Sequence, residues 1–335
     1  MTRTFNEEQT RRNVLRTTAV IGGVTLVGCL GGGNGEDGAE EHQIQFAGPQ
    51  GAAMTLPTRL IRDEDFAADR GLDLALELMP PPAIQQAIAA KEVESGTFPV
   101  ISGVRLANKD QDIRLLGPVC QSFNSIIVHE DAGVDDLGDL QDVTLGSMPR
   151  TSAPWTHFAV LASLEGYDPD DFDTRFGPPA TLFGAIQQGD LDAMIGVEPF
   201  SSRLLATGDF EEPYVFTDRW EEQTGNRMPL VEVATYQETI DEKPDAVQGL
   251  METMFDAGAH IGDNPRAVIE EYDDELGLET DEEFDLVEER IGHIYPGEFD
   301  EELRESGAEV VNRASEEGLV DGDPSDTMFR RPDKL

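Results

Sequence analysis

The feature that most constrains the fold is a unit that occurs twice. Pro81-Pro82-Ala83 leads into a helical pattern over 84–90 and a β-like run over 98–103, and Pro178-Pro179-Ala180 leads into a helical run over 182–188 and a β-like run over 191–197. Each copy is a proline lead-in, a helix ending in small or polar residues, a strand, and a turn into the next element. Two copies at this distance predict two α/β lobes of like design, whereas a solenoid would show a shorter period many times over.

The surrounding sequence follows the same grammar. β-like runs at 44–47, 72–79 and 98–102 alternate with helical patterns at 56–69 and 83–93, which predicts the α/β fold class with mostly parallel strands. A β-run at 125–129 enters the acidic turn Glu130-Asp131-Ala132-Gly133, the segment 134–140 reads as a short helix or turn, and a further β-run covers 230–235. Two extended segments crossing between lobes are what a hinge needs, because they absorb a φ/ψ change while the lobes stay rigid. The first lobe is therefore assigned to 43–128 and 230–335, and the second to 129–229. Helical patterns at 245–261, 265–272, 281–291 and 298–316, mostly amphipathic with acidic outer faces, are expected to pack on the first lobe and close it.

Composition limits the partners. Sixty-eight acidic residues against 24 basic ones give a formal charge of -44, which repels nucleic-acid phosphates and anionic lipid surfaces. Nucleic-acid binding is excluded on that ground. The 39% hydrophobic content, arranged in periodic segments, suffices for packed cores, so the acidity belongs to a folded surface. Lysine appears only at Lys91, Lys109, Lys243 and Lys334. This bias resembles proteins of salt-loving archaea, whose acidic surfaces are screened in concentrated salt.

The N-terminus carries an address. Thr10-Arg11-Arg12-Asn13-Val14-Leu15-Arg16 is followed by an apolar stretch over 17–27 and by Leu26-Val27-Gly28-Cys29. The run is shorter than the roughly 20 apolar residues that span a bilayer. It resembles a twin-arginine signal peptide of the lipoprotein kind, covering 1–28. That resemblance implies that Cys29 becomes the first mature residue and carries a lipid anchor. The Gly-, Glu- and Asp-rich stretch within 29–42 reads as a flexible tether. With Cys29 claimed by lipid, Cys120 in the run Leu115-Leu116-Gly117-Pro118-Val119-Cys120 has no intramolecular partner and reads as a small buried hydrophobe.

Two further stretches carry a family resemblance. Val143-Thr144-Leu145-Gly146-Ser147 is a strand leading into a turn, and Arg150-Thr151-Ser152-Ala153-Pro154-Trp155 opens a helix with Ser152 as N-cap and proline in the first turn. Later, Gly189-Asp190-Leu191-Asp192-Ala193-Met194-Ile195-Gly196-Val197-Glu198-Pro199-Phe200 ends a strand at an acid-proline pair, with Val197 where an aromatic is common in the family. In this order, after the signal, they resemble the substrate-binding proteins of ABC importers of the nitrate, sulfonate and taurine type, which include thiamine-precursor binders. The resemblance implies a two-lobed periplasmic-binding-protein-like (type II) fold with a ligand cleft between the lobes. It further implies a small anionic or zwitterionic solute, closure, and delivery to an ABC permease by a lipid-anchored monomer without cofactor or catalysis. The alternative is an enzyme on the same fold, in thiamine-pyrimidine or menaquinone biosynthesis.

Ligands of open α/β sheets lie beyond the carboxyl ends of strands. That rule selects Gly48, Pro49, Gln50 and Gly51 after the first strand, Ser102 and Gly103 at the end of the first repeat's strand, Ser147, and the opening Arg150-Thr151-Ser152. Arg150 with the Thr151 and Ser152 hydroxyls suits a carboxylate, sulfonate or phosphate. Glu198 can accept from a ligand or pair with an arginine that locks the lobes. Trp155, Phe200, Tyr214 and Trp220 could stack on a ligand, but core packing accounts for each of them better. The five histidines show no metal-ligand spacing, so no metal is expected.

Overall fold

The computed structural model describes residues 42–51, 53–321 and 328–332. The signal at 1–28, the lipidation site Cys29 and the tether at 29–42 lie outside the described residues, His42 apart. Ten strands are present among the described residues: β1 (Gln43–Pro49), β2 (Asp73–Met79), β3 (Ser95–Phe98), β4 (Ile113–Gln121), β5 (Ser125–His129), β6 (Leu145–Ser147), β7 (Thr174–Phe176), β8 (Ala193–Gly196), β9 (Phe210–Val215) and β10 (Pro229–Tyr236). They form two five-stranded sheets, ordered β2-β1-β3-β10-β4 and β7-β6-β8-β5-β9.

The two orders superimpose term by term. In each sheet the first three strands run parallel, and the fourth is antiparallel to both its neighbours. Each is thus a mixed sheet, and the doubled sequence unit sits at the same place in both. Helix Pro81–Ala89 precedes β3, and helix Pro179–Gln187 precedes β8. Both helices open with proline in the first turn, where a missing N–H costs nothing. Strands β4 and β10 are buried almost end to end, which explains their near-continuous apolar runs. The edge strand β2 alternates between exposed and half-buried residues.

Three boundaries differ from the sequence reading. The first lobe does not extend to 128: Ser125 to Val128 pair with β8 and β9, so β5 belongs to the second sheet. The crossing lies earlier, at Ser122 to Asn124. The helical pattern at 56–69 is broken into Thr55–Asp63 and Phe66–Asp69. The strand expected over 98–102 stops at Phe98, because Pro99 ends it and caps helix Val100–Ala107.

The two crossings are tied to each other and to their surroundings. The Ser122 N–H donates to the Met228 carbonyl at 2.7 Å, Gln121 N–H to Ile294 at 2.9 Å, and Phe216 N–H to Asn124 at 3.0 Å. The Asn124 amide donates to the Gly196 carbonyl at 2.8 Å.

The C-terminal helices reach further than the first lobe. Helix Pro244–Asp263 packs on Thr55–Asp63 of the first lobe as expected, but Asp281–Ile291 also meets Phe200–Leu205 of the second. Helix Glu301–Glu316 packs against both Val100–Ala107 and Ala153–Leu164. One buried cluster consequently runs across the seam, from Val100, Ile101 and Val104 through Trp155 and Phe158 to Val310 and Ala314. The Trp220 indole N–H donates to Ser306 Oγ at 2.8 Å, satisfying a polar group that this burial would otherwise strand.

Candidate functional site

The carboxyl ends of the parallel strands of both sheets converge on the seam, and the loop after β1 makes the first contact. The Ala53 N–H donates to the Glu198 carbonyl at 3.1 Å, while the Tyr295 hydroxyl donates to the Ala53 carbonyl at 2.7 Å. Within this loop Gly51 adopts φ +87°, a left-handed conformation that glycine alone takes without strain. Gln50 is exposed, and its N–H donates to the Met79 carbonyl at 2.9 Å. Gly48 serves packing instead: a Cβ there would lie 2.7 Å from Thr58 Cγ2, so its absence lets helix Thr55–Asp63 approach β1. Pro49 is buried beside it.

A second contact joins the lobes farther along. Ser102 Oγ lies 3.3 Å from the Thr151 carbonyl and 3.5 Å from Gln85 Oε1, so one hydroxyl is shared between the two lobes. Ser102 and Gly103 lie in helix Val100–Ala107 and not at a strand end. Gly103 is turned toward Leu115 of the sheet, 3.5 Å from where its Cβ would be.

Across the seam, Ser152 caps helix Ala153–Leu164, its side chain accepting from Trp155 N–H at 3.4 Å. Thr151 is exposed, and Ser147 is buried with its hydroxyl donating to the Met148 carbonyl at 3.0 Å. Arg150 is not the free cation its position suggests. Its side chain is 54% exposed, paired with Asp170 at 2.7 Å and laid over the rings of Trp155 and Phe176, with centroids at 4.9 and 5.2 Å. Phe176, 41% exposed at the carboxyl end of β7, is partly covered by that guanidinium.

Glu198 has the most elaborate surroundings of the group. It has no exposed surface, and its carboxylate accepts from Arg290 Nε, from Ser202 Oγ at 2.7 Å and from Ser202 N–H at 3.3 Å. Arg290, in the last turn of Asp281–Ile291, forks its other two nitrogens onto Glu212 at 2.7 and 2.6 Å. Burial pushes the Glu198 carboxyl above its ordinary range, and the Arg290 and Ser202 donors pull against it. Burial alone would lower Arg290, but its hydrogen bonds to Glu212 and the two carboxylate charges raise it. The carboxylate is thus committed to the lobe contact. Its Arg290 partner has no sequence signal, because an arginine closing an acidic helix reads as ordinary dipole compensation.

Near this turn are hydroxyls that sequence reasoning missed. Thr55, Ser125 and Ser201 are buried, and their Oγ atoms have no hydrogen-bond partner among the described residues. Two of them close on Gly196, where a Cβ would lie 2.3 Å from Ser201 Oγ and 3.4 Å from Ser125 Oγ. Buried hydroxyls are normally satisfied, so such a group retains donors for something else. Trp155, Tyr214 and Trp220 are all core residues, and Phe200 is half-buried beneath Arg203. Cys120 is buried, and burial pushes its thiol up, away from the reactive thiolate.

The NMT1-like family model matches residues 61–270. No curated protein matches the sequence. Among solved structures, the chain is similar to the periplasmic aliphatic sulphonate binding protein SsuA from Escherichia coli, at 16% identity and TM-score 0.70 over 88% of this chain and 94% of that one. It is also similar to the alkanesulfonate-binding protein SsuA from Xanthomonas axonopodis pv. citri bound to MOPS, at 14% identity and TM-score 0.70 over 87% and 98%. The periplasmic nitrate-binding protein NrtA from Synechocystis PCC 6803 aligns at 12% identity and TM-score 0.65 over 87% and 86%. These likenesses fix the fold as the two-lobed arrangement of periplasmic binding proteins.

Proposed function

Because this chain belongs to the NMT1-like family, we propose that it is the solute-binding component of an ABC importer. It takes a small anionic or zwitterionic solute, of the nitrate, sulfonate or taurine kind, between its lobes and releases it to a permease without chemical change. The names of its structural neighbours, sulphonate- and nitrate-binding proteins, support that solute class. The reading places Gln50, Gly51, Ser102, Thr151 and the hydroxyls of Thr55, Ser125 and Ser201 along the cleft. The signal and Cys29 would hold the protein as a lipid-anchored monomer on the outer face of the membrane.

The observation that carries this reading is the set of buried, unpartnered hydroxyls of Thr55, which opens the helix after β1, and of Ser125 and Ser201, which close on Gly196 at the end of β8. Hydroxyls donate to anion oxygens without the desolvation cost of a second buried charge. Closure would be driven only to the extent that the solute contacts the closed state better than the open one.

Thermal-shift screening in concentrated salt, across nitrate, sulfonates, taurine and pyrimidines, tests the proposal. A solute at about 100 times its dissociation constant adds about 2.7 kcal/mol. Stabilisation by one class, with a smaller radius of gyration by scattering, is the expected result. Turnover of a bound compound would favour the enzyme on the same fold.

A further inference from the structure

An acidic protein should leave few of its cations alone. Sixteen arginines fall among the described residues, and thirteen of them have a carboxylate within salt-bridge distance. Of the remaining three, Arg175 donates to the Asp190 carbonyl at 2.9 Å and Arg330 to Gln237 Oε1 at 3.2 Å. Arg105 has neither an ion pair nor a hydrogen bond among the described residues. It is also half-buried, and burial is what lowers its guanidinium below the ordinary value. A half-buried cation with no partner in the fold keeps its donors turned to solvent, where they are free to take a partner from outside.

Its position says where that partner would lie. Arg105 and Ser102 are three residues apart in helix Val100–Ala107, and therefore on one face, separated by a rise of about 4.5 Å. Gly103 faces the sheet at Leu115, so the Ser102 and Arg105 positions are turned away from it. Helical side chains lean toward the N-terminus of their helix, which carries the Arg105 stem back toward Ser102. Ser102 is the residue whose hydroxyl touches both Gln85 and the Thr151 carbonyl of the opposite lobe.

We propose that Arg105 reads the charge of the bound solute, with the Ser102 hydroxyl and the Gln85 amide completing an oxyanion site on the first lobe. This rests on the solute-receptor reading above and makes it specific: the cargo carries a carboxylate, sulfonate or comparable anionic head directed at the first lobe. The guanidinium offers up to five donors in a planar fork, matching two oxygens of such a head. Ser102 would exchange its Thr151 contact for the ligand, which couples anion binding to the seam between the lobes.

The test is calorimetry in molar potassium chloride with nitrate, methanesulfonate and taurine, and with dimethyl sulfone as a neutral counterpart of methanesulfonate. The wild-type protein should bind at least one anion and not dimethyl sulfone. Arg105→Gln should weaken that anion by about 10- to 150-fold, the worth of a charge-assisted hydrogen bond. Arg105→Lys should recover part of the loss, since it keeps charge but not the fork. The ligand-free melting temperature of Arg105→Gln should equal or exceed that of the wild type, which separates a binding defect from a folding defect. Equal affinity in wild type and Arg105→Gln overturns this proposal alone. Absence of anion binding by the wild type overturns the receptor reading and this one with it.

Discussion

Arg290 and Glu198 come from different lobes, and the carboxylate that receives the Arg290 Nε–H has no exposed surface. Arg290→Gln leaves that carboxylate buried without its counter-charge. A loss of about 3–5 kcal/mol is expected, read from the urea midpoint in molar salt. Glu198→Gln should cost less, because Arg290 keeps its fork on Glu212. An Arg290→Gln change within about 0.5 kcal/mol, the range of ordinary surface substitutions, would mean that the pair does not hold the lobes.

A second buried acid sets an alkaline limb. Glu232 on β10 is wholly buried, neither carboxyl oxygen has a hydrogen-bond partner among the described residues, and Gly307 presses on it, a Cβ there lying 2.9 Å from Oε1. Burial raises it from 4.5 to about 8, against the opposing charge of Arg304. The folded state therefore holds a proton that the unfolded chain has released, so stability is greatest below pH 4.5 for this group and falls as pH rises to about 8. Glu232→Gln should flatten that limb of a melting-temperature profile, and an unchanged slope would disprove the assignment.

The acid limb has a different source. His157 is buried in helix Ala153–Leu164, its Nδ1 lacks a partner, and burial lowers the imidazole from 6.5 to about 3. Here the unfolded chain binds the extra proton, so this contribution is present above pH 6.5 and lost as pH falls toward 3. His157→Gln should weaken the acid limb while leaving the alkaline one in place, as followed by circular dichroism.

Close approach at Gly48 gives a steric prediction. Gly48→Ala puts a methyl 2.7 Å from Thr58 Cγ2 and should destabilise by about 1–3 kcal/mol. Pairing it with Thr58→Ser, which removes the clashing methyl, should restore most of the loss. Failure of the rescue would place the strain elsewhere.

Desalting should unfold the protein. With a formal charge of -44, lengthening the Debye length from about 3 Å at 1 M to about 30 Å at 0.01 M exposes the acidic surface to its own repulsion. A melting temperature independent of salt would contradict the expectation.

The lobes were legible because their signal is local. The proline lead-ins at Pro81 and Pro179, and the Ser152 cap, act through the residue's own backbone and so survive in the sequence. The misplaced strand at 98–102 shows the limit of that logic: Val100 and Ile101 favour a strand, but Pro99 and packing between a sheet and helix Glu301–Glu316 make them helical. At the candidate site the missed residues are those whose meaning depends on distant partners. Nothing near Arg290 announces Glu198, and nothing in 100–107 announces that Arg105 lacks a carboxylate when Arg150 has one. Charge pairing in a folded chain is a property of its surfaces, and those exist only after the helices are placed.

The full enclosure of Glu198 has a consequence for the way the protein answers to salt. Dissolved ions crowd around the outer arginine pairs and blunt them, but they reach this pair only from the Arg290 side. As salt climbs, the exterior falls electrostatically silent while this enclosed pair is screened least, so the hold it adds between the lobes outlasts that of the surface pairs.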